Sequence, residues 1–239
     1  MSIKKISISN FRCFNSVDLE FSKLNNFIHG ANGSGKTSVL EALYFCSTGR
    51  SFKSSNKNLC IQNDKEAFKI QVETLNNNKI CVLKEAKKSI SLEIDEKKAT
   101  SIELFRAIPS TLLDNKTFSM FADTPKYRRK ILDRCLMASD KNYSKDFFSF
   151  HRSLKQRNAA LKFKRLTNID TWSEIFINTG TSISEKRNNF FEETKQTFFK
   201  FTEYLRDKRV LQIINSLDIL FYQGWTTDHS LKQVLELNR

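Results

Sequence analysis

The string Gly30-Ala31-Asn32-Gly33-Ser34-Gly35-Lys36-Thr37 constrains this chain more than any other feature, because it fits the pattern G-x-x-x-x-G-K-[ST] of a phosphate-binding loop. It also holds three of the chain's six glycines. Glycine lets the backbone take positive φ and approach an anion closely, so that successive N–H groups point at it. A string this short arises by chance, and its context decides the matter. Phe27 and Ile28 before it read as a short buried strand, with His29 as a packed strand residue. Val39, Leu40, Leu43 and Tyr44 after it fall at helical spacing, which predicts a helix from about Lys36 to Ser47. Strand, loop and helix in that order set the positive end of the helix against the same anion. Residues 30–37 are therefore expected to bind ATP. Lys36 would reach the β- and γ-phosphates, and Thr37 would ligate Mg²⁺ through its hydroxyl.

A nucleotide-hydrolysing site of this type also needs an acidic residue at the end of a second buried strand. No run of four apolar residues followed by Asp and Asp or Glu occurs in the chain. Leu217 to Tyr222 comes nearest, but Asp218 lies inside that expected strand rather than at its end. Binding is expected, and hydrolysis by this chain alone is not.

Around the loop the first third reads as sheet. Ile6 and Ile8, then Val17, Leu19 and Phe21, recur every second residue, as half-buried strands require, with a turn over Arg12 to Asn15. Further alternating runs at Phe68-Ile70-Val72, Ile80-Val82 and Ile90-Leu92-Ile94 predict three more strands, the first two joined by a turn at Asn76-Asn77-Asn78. Pro109 and Pro125, the only prolines, bracket a change of texture. Beyond them, long helices are predicted over 127–137, 143–163 and 183–205. Apolar seams at Phe147, His151, Leu154 and Leu161, and at Ile183, Phe190, Phe201 and Leu205, point to antiparallel packing. Most of the 21 phenylalanines are assigned to core packing.

The formal charge of +14 is unevenly spread. Residues 126–165 carry thirteen Lys and Arg against three Asp, whereas residues 166–209 carry seven of each sign. A merely solvated helix face mixes signs, so the one-signed stretch points to a polyanion, with nucleic acid ahead of a membrane surface. Lys126, Arg128, Arg129, Arg152, Lys155 and Arg157 are the candidate phosphate contacts, with Arg50 and Lys53 weaker ones. No run approaches the roughly 18 apolar residues of a membrane span. The N-terminus alternates rather than forming the apolar stretch of a signal peptide. Five cysteines without a C-x-x-C pair suit neither a zinc site nor a disulfide framework, and are expected as mostly buried thiols. Together these features suggest a soluble, cytoplasmic protein without a membrane partner.

Several blocks, in this order and at these separations, carry a resemblance. They are Asn10-Phe11-Arg12, the loop continued through Ser38-Val39-Leu40-Glu41-Ala42, Gly49-Arg50-Ser51-Phe52-Lys53, Pro125-Lys126-Tyr127-Arg128-Arg129 with Leu132-Asp133, and Leu154-Lys155-Gln156-Arg157-Asn158-Ala159-Ala160-Leu161. With them the chain resembles the RecF family, bacterial recombination-repair ATPases whose head is of the ABC type shared with chromosome-condensing proteins. The resemblance runs from Met1 to Arg239. It implies an α/β P-loop NTPase lobe of ABC-ATPase type, a mixed sheet around the P-loop helix, with an inserted antiparallel helical arm. The implied division is 1–115 for the first part of the head, 116–212 for the arm, and 213–239 for a strand and helix returning toward an incomplete head. RecF proteins continue beyond this point with the ABC signature motif, an acidic Mg²⁺-binding strand and a D-loop. The chain is thus expected to be a RecF without its C-terminal third. It departs locally, with Asn115-Lys116 and Asp123-Thr124 where the family has a Pro-Glu pair and two glycines.

For function the resemblance implies a DNA replication and repair protein whose heads form a homodimer around ATP. Such a dimer binds single-stranded DNA, gaps and single-/double-strand junctions, and works with RecR and RecO in recombinase loading and the SOS response. The alternative is a truncated, non-hydrolysing fragment that binds DNA through its basic arm. A small-molecule P-loop kinase is disfavoured, having no use for a long basic arm.

Overall fold

Alternation does what it should in the first strand. Ile6, Ile8 and Phe11 of β1 (Ile3–Phe11) have no exposed surface, while the residues between them face outward. This structure, a computed structural model, describes residues 3–114, 125–163, 167, 169–204, 208–216, 219–223 and 228–237. The chain divides into two compact units, Met1–Ala122 and Asp123–Arg239.

In the first unit β1 is followed by β2 (Phe14–Glu20), α1 (Lys36–Thr48), a single 3₁₀ turn (Lys57–Cys60), β3 (Ala67–Thr74), β4 (Lys79–Glu85), β5 (Ser91–Ile94), β6 (Lys97–Lys98) and α2 (Ser101–Ala107). The strands form one sheet in the order β2-β1-β3-β4-β5-β6. Every pairing is antiparallel. Of the mixed sheet expected around the P-loop helix, the described residues thus form the antiparallel part. Register keeps the apolar set on one face, with Ile8 opposite Ile70 and Ile70 opposite Val82. Against that face α1 sets Ala42, Phe45 and Cys46, all without exposed surface, and Phe11, Phe45 and Phe68 meet edge-on. Helix α1 ends at Gly49, in the left-handed region at φ 63°, whose N–H donates to the Phe45 carbonyl. Thr100 and Glu103 close a capping box at the start of α2.

The second unit is helical, with α3 (Pro125–Ser139), α4 (Lys141–Lys162), α5 (Ile169–Thr202), α6 (Lys208–Asn215) and α7 (Leu231–Leu237). Contacts run in opposite directions along α4 and α5. Asp146 accepts from Ser182, Phe150 stacks on Phe176, and Arg157 donates to Ser173, so the two helices are antiparallel. A small core of Leu136, Tyr143 and Ile183, with Phe147 and Phe190 against it, joins α3 to both.

Several expectations are corrected. Residues 27–28 are not a buried strand: Phe27 is 88% and Ile28 37% exposed, and His29 is exposed as well. A buried strand needs a neighbour to satisfy its ladder, and no described strand pairs with this segment. Residues 219–222 are likewise not a strand; Phe221 packs on Phe191 of α5 instead, and 217–218 lie outside the described residues. Helix α5 begins at Ile169, fourteen residues before the expected start, and runs through Gly180. A Cβ at Gly180 would lie 2.8 Å from Leu231 and 3.1 Å from Phe150, so the glycine serves close packing rather than a helix end. The cysteines are not mostly buried: Cys46 and Cys60 are, Cys81 is half-buried, and Cys13 and Cys135 are exposed. Phe148, Phe163 and Phe201 are also exposed, against the core assignment.

Candidate functional site

The glycine-rich loop leads directly into α1, whose N-cap is Gly35 with no side-chain cap. The first N–H groups of a helix lack intrahelical acceptors, so this end is open to an anion. Gly33 and Gly35 take φ of 85° and 93°, in the left-handed region that glycine alone adopts easily. At Gly35 space matters too. A Cβ there would lie 2.4 Å from the Phe14 ring and 3.0 Å from Cys13 Sγ. The turn between β1 and β2 therefore presses directly on the loop. Lys36 Nζ donates to the carbonyls of Gly30 at 2.8 Å and Ala31 at 2.7 Å, which holds the ammonium across the loop.

Asn32, Gly33, Lys36 and Thr37 line one wall of a cavity of about 780 Å³, with Arg12 and Gln62 also on its lining. The segment around Gln62 is bonded to the β1–β2 turn: Arg12 N–H donates to Cys60 O at 2.9 Å, Gln62 N–H to Asn10 O at 2.9 Å, and Gln62 Nε2 to Asn15 Oδ1 at 2.6 Å. That turn thus touches both the phosphate loop and the Cys60–Gln62 segment.

One buried ion pair ties these parts together. Glu41, on α1 and without exposed surface, receives Arg12 Nε at 3.0 Å and Nη2 at 2.7 Å in a bidentate pair. Arg12 Nη1 also donates to Leu59 O at 2.6 Å, and the Ser51 hydroxyl donates to Glu41. Burial pushes the Glu41 carboxyl up, but the Arg12 guanidinium and Ser51 hydroxyl outweigh it and hold the group below its ordinary range. The bond to Glu41 in turn raises Arg12. Neither role was read from the sequence, though a signal exists. Glu41 falls on the same helix face as Ser38, Ala42 and Phe45, and a carboxylate on a buried face requires a cation.

Of the basic candidates, Arg128 and Arg129 are exposed on α3, and Arg152 and Lys155 are exposed on α4. Arg157 is half-buried, its Nε donating to Ser173 at 3.2 Å. Lys126 lies in α3, its side chain outside the described residues. Arg50 is exposed, and Lys53 lines the cavity. Among the described residues no group of three or more His, Cys, Asp and Glu could hold a metal, and no helix is long and apolar enough to cross a membrane.

With the geometry in place, comparison with known proteins gives a consistent result. A family model described as an AAA domain matches residues 5–223. The DNA replication and repair protein RecF of Pseudoalteromonas translucida (strain TAC 125) is 34% identical over 247 residues, an overlap of 100% of this chain and 66% of that protein. RecF of Francisella tularensis subsp. mediasiatica (strain FSC147) is 31% identical over 250 residues, covering 99% of this chain and 67% of that protein. A solved structure of the recombination mediator protein RecF with ATP, in the RecFOR pathway, superposes with a TM-score of 0.75 at 27% identity, over 86% of this chain and 58% of that one. The chain therefore spans 66% of the first relative's length and 58% of the solved chain's.

Proposed function

The chain belongs to the RecF family of DNA replication and repair proteins, and from that membership we propose that it binds ATP at residues 30–37 and engages DNA through its basic helices. The observation that carries the nucleotide half is the cradle itself. Two glycines at left-handed φ, one too crowded for any Cβ, lead into an uncapped helix N-terminus beneath Lys36. Those residues fit a triphosphate: backbone N–H groups of residues 30–37 would hold the phosphate oxygens, and Lys36, now on two loop carbonyls, would turn to them. Thr37 would hold Mg²⁺, which neutralises phosphate charge when bound.

The DNA half rests on exposed Arg128, Arg129, Arg152 and Lys155, with Lys126 beside them in the sequence and Arg157, bonded to Ser173, the weakest of the six. Such contacts go to the phosphate backbone and confer little base preference. Single-stranded and gapped DNA, RecR- and RecO-type partners, an ATP-dependent homodimer and a role in recombinase loading and the SOS response in the cytoplasm complete the proposal.

The test is ATP affinity and turnover of the 239-residue chain by calorimetry and phosphate release, with Lys36→Ala as control. Binding that Lys36→Ala abolishes, without turnover, is expected. Equal affinity in wild type and variant would remove ATP from the loop, and turnover at the rate of a full-length RecF would overturn the non-hydrolysing assignment.

A further inference from the structure

Helix α4 carries a line of cations longer than the candidates Arg152 and Lys155. Lys141, Lys145, Arg152, Lys155 and Lys162 are all exposed, and with Phe148 and Ala159 they follow one another at alternating steps of four and three residues. At about 100° per residue, these seven positions fall within an arc of about 100° on one side of the helix, and at 1.5 Å rise they extend about 31 Å. No carboxylate interrupts the line. Asp146, the only acid in α4, is turned to α5, where it accepts from Ser182 at 2.8 Å and Lys186 at 3.0 Å. None of the five cations has an ion-pair partner among the described residues.

The opposite face is fixed. Tyr143 and Ser153 are buried, and Phe150 stacks on Phe176 of α5 at 4.8 Å. The cationic line is therefore held straight toward solvent by a packed seam on its far side. A face kept soluble by charge alone intersperses both signs. This one has a single sign, and an aromatic ring stands in it. Phe148 is 56% exposed, three residues after Lys145 and four before Arg152. A second ring, Phe163, is 65% exposed just past the helix end, with Lys162 Nζ 5.7 Å from its centroid. Cations interleaved with exposed rings match what an unpaired nucleic-acid strand requires, its phosphates drawn to the charges and a base free to stack. A paired base has no face to offer Phe148.

We propose that α4 is a single-strand track: a single-stranded DNA segment lies along Lys141, Lys145, Arg152, Lys155 and Lys162, with a base stacked on Phe148. This deepens the DNA half of the proposed function and rests on it. The test is fluorescence anisotropy of the full chain with a labelled oligothymidylate and with a duplex of equal length, across a salt series. Five neutralised phosphates on a single strand give a log–log salt slope of about −3.5. Lys145→Gln/Lys155→Gln should flatten it to about −2.1, at about 0.7 per cation removed. Phe148→Ala should weaken oligothymidylate binding about tenfold and leave duplex binding unchanged. Both variants change exposed side chains, and an unaltered circular dichroism spectrum checks the fold. DNA binding with an unchanged slope in the double variant overturns the track while leaving DNA binding in place. Equal loss on both probes with Phe148→Ala, or loss on neither, overturns the single-strand assignment. A wild-type chain that binds neither probe overturns the DNA reading itself.

Discussion

Glu41 is a carboxylate without exposed surface on the helix that begins at the phosphate loop, and its charge is held there by Arg12, which meets both its oxygens, and by the Ser51 hydroxyl. Removing one partner of such a pair leaves the other charge uncompensated, at about 3–5 kcal/mol. Arg12→Ala should lower the urea midpoint of the first unit accordingly, and Glu41→Gln, which keeps a hydrogen-bonding shape, should cost less. The pH dependence follows in sign. Glu41's folded pKa lies below its ordinary 4.5, so its contribution is complete above that value and is lost as pH falls through the folded one. Stability of the first unit should therefore decline below about pH 4.5, with a shallower slope in Glu41→Gln. Gly35→Ala tests the neighbouring constraint. Its Cβ would crowd the Phe14 ring at a φ of 93°, so either the loop or that ring must shift. ATP affinity should fall with a loss of about 1–2 kcal/mol for the left-handed backbone alone, whereas an unaffected loop would show that Phe14 yields freely.

Helices α3, α4 and α5 are joined by a polar staple inside their apolar seam. Asp133 on α3 receives Arg187 of α5 at 2.7 and 2.9 Å and the Tyr143 hydroxyl of α4 at 2.6 Å. Burial and the bond to Asp133 both push the Tyr143 phenol up, so it stays a donor through the physiological range. Tyr143→Phe removes one bond to a charged group and should cost about 1.5–3 kcal/mol; Arg187→Ala strands Asp133 and should cost about 3–5 kcal/mol. Thermal melts of the two variants and their double mutant decide this, since an additive double mutant would mean the three groups do not act as a unit. Leu132-Asp133 stands out in the sequence as a block, but the partners of Asp133 lie ten and fifty-four residues away, beyond any local pattern. Elements defined by their own period were legible: β1 through β5 lie where alternation puts them, and α1 starts at Lys36. Elements defined by a neighbour were not. Residues 27–28 read as a buried strand because Phe-Ile is apolar, yet a strand also needs a pairing edge. The helix expected from Ile183 starts at Ile169 and runs through Gly180, whose reason for being glycine is a contact with Leu231, fifty-one residues on. The candidate site shows the same division. The phosphate loop is contiguous and legible directly, while Arg12, Glu41 and Gln62 come from three separate stretches.

Each unit has a core of its own, one of Ile6, Ile8, Phe11, Phe45 and their neighbours, the other of Leu136, Tyr143 and Ile183. The proposed cradle for ATP lies wholly in the first and the cationic line of α4 wholly in the second. Ligands that bind a folded state stabilise it by RT ln(1 + [L]/Kd), about 2.7 kcal/mol at a hundredfold excess over Kd. If the units unfold separately, Mg-ATP should raise one thermal transition and leave the other in place, and oligothymidylate should do the reverse. Arg12→Ala should lower only the transition that ATP raises, and Arg187→Ala only the other. Differential scanning calorimetry of the full chain reads all four shifts in one set of experiments. A single transition moved by both ligands would show that the two units unfold as one cooperative body. In that case ATP would also protect the chain against Arg187→Ala, which separate unfolding forbids.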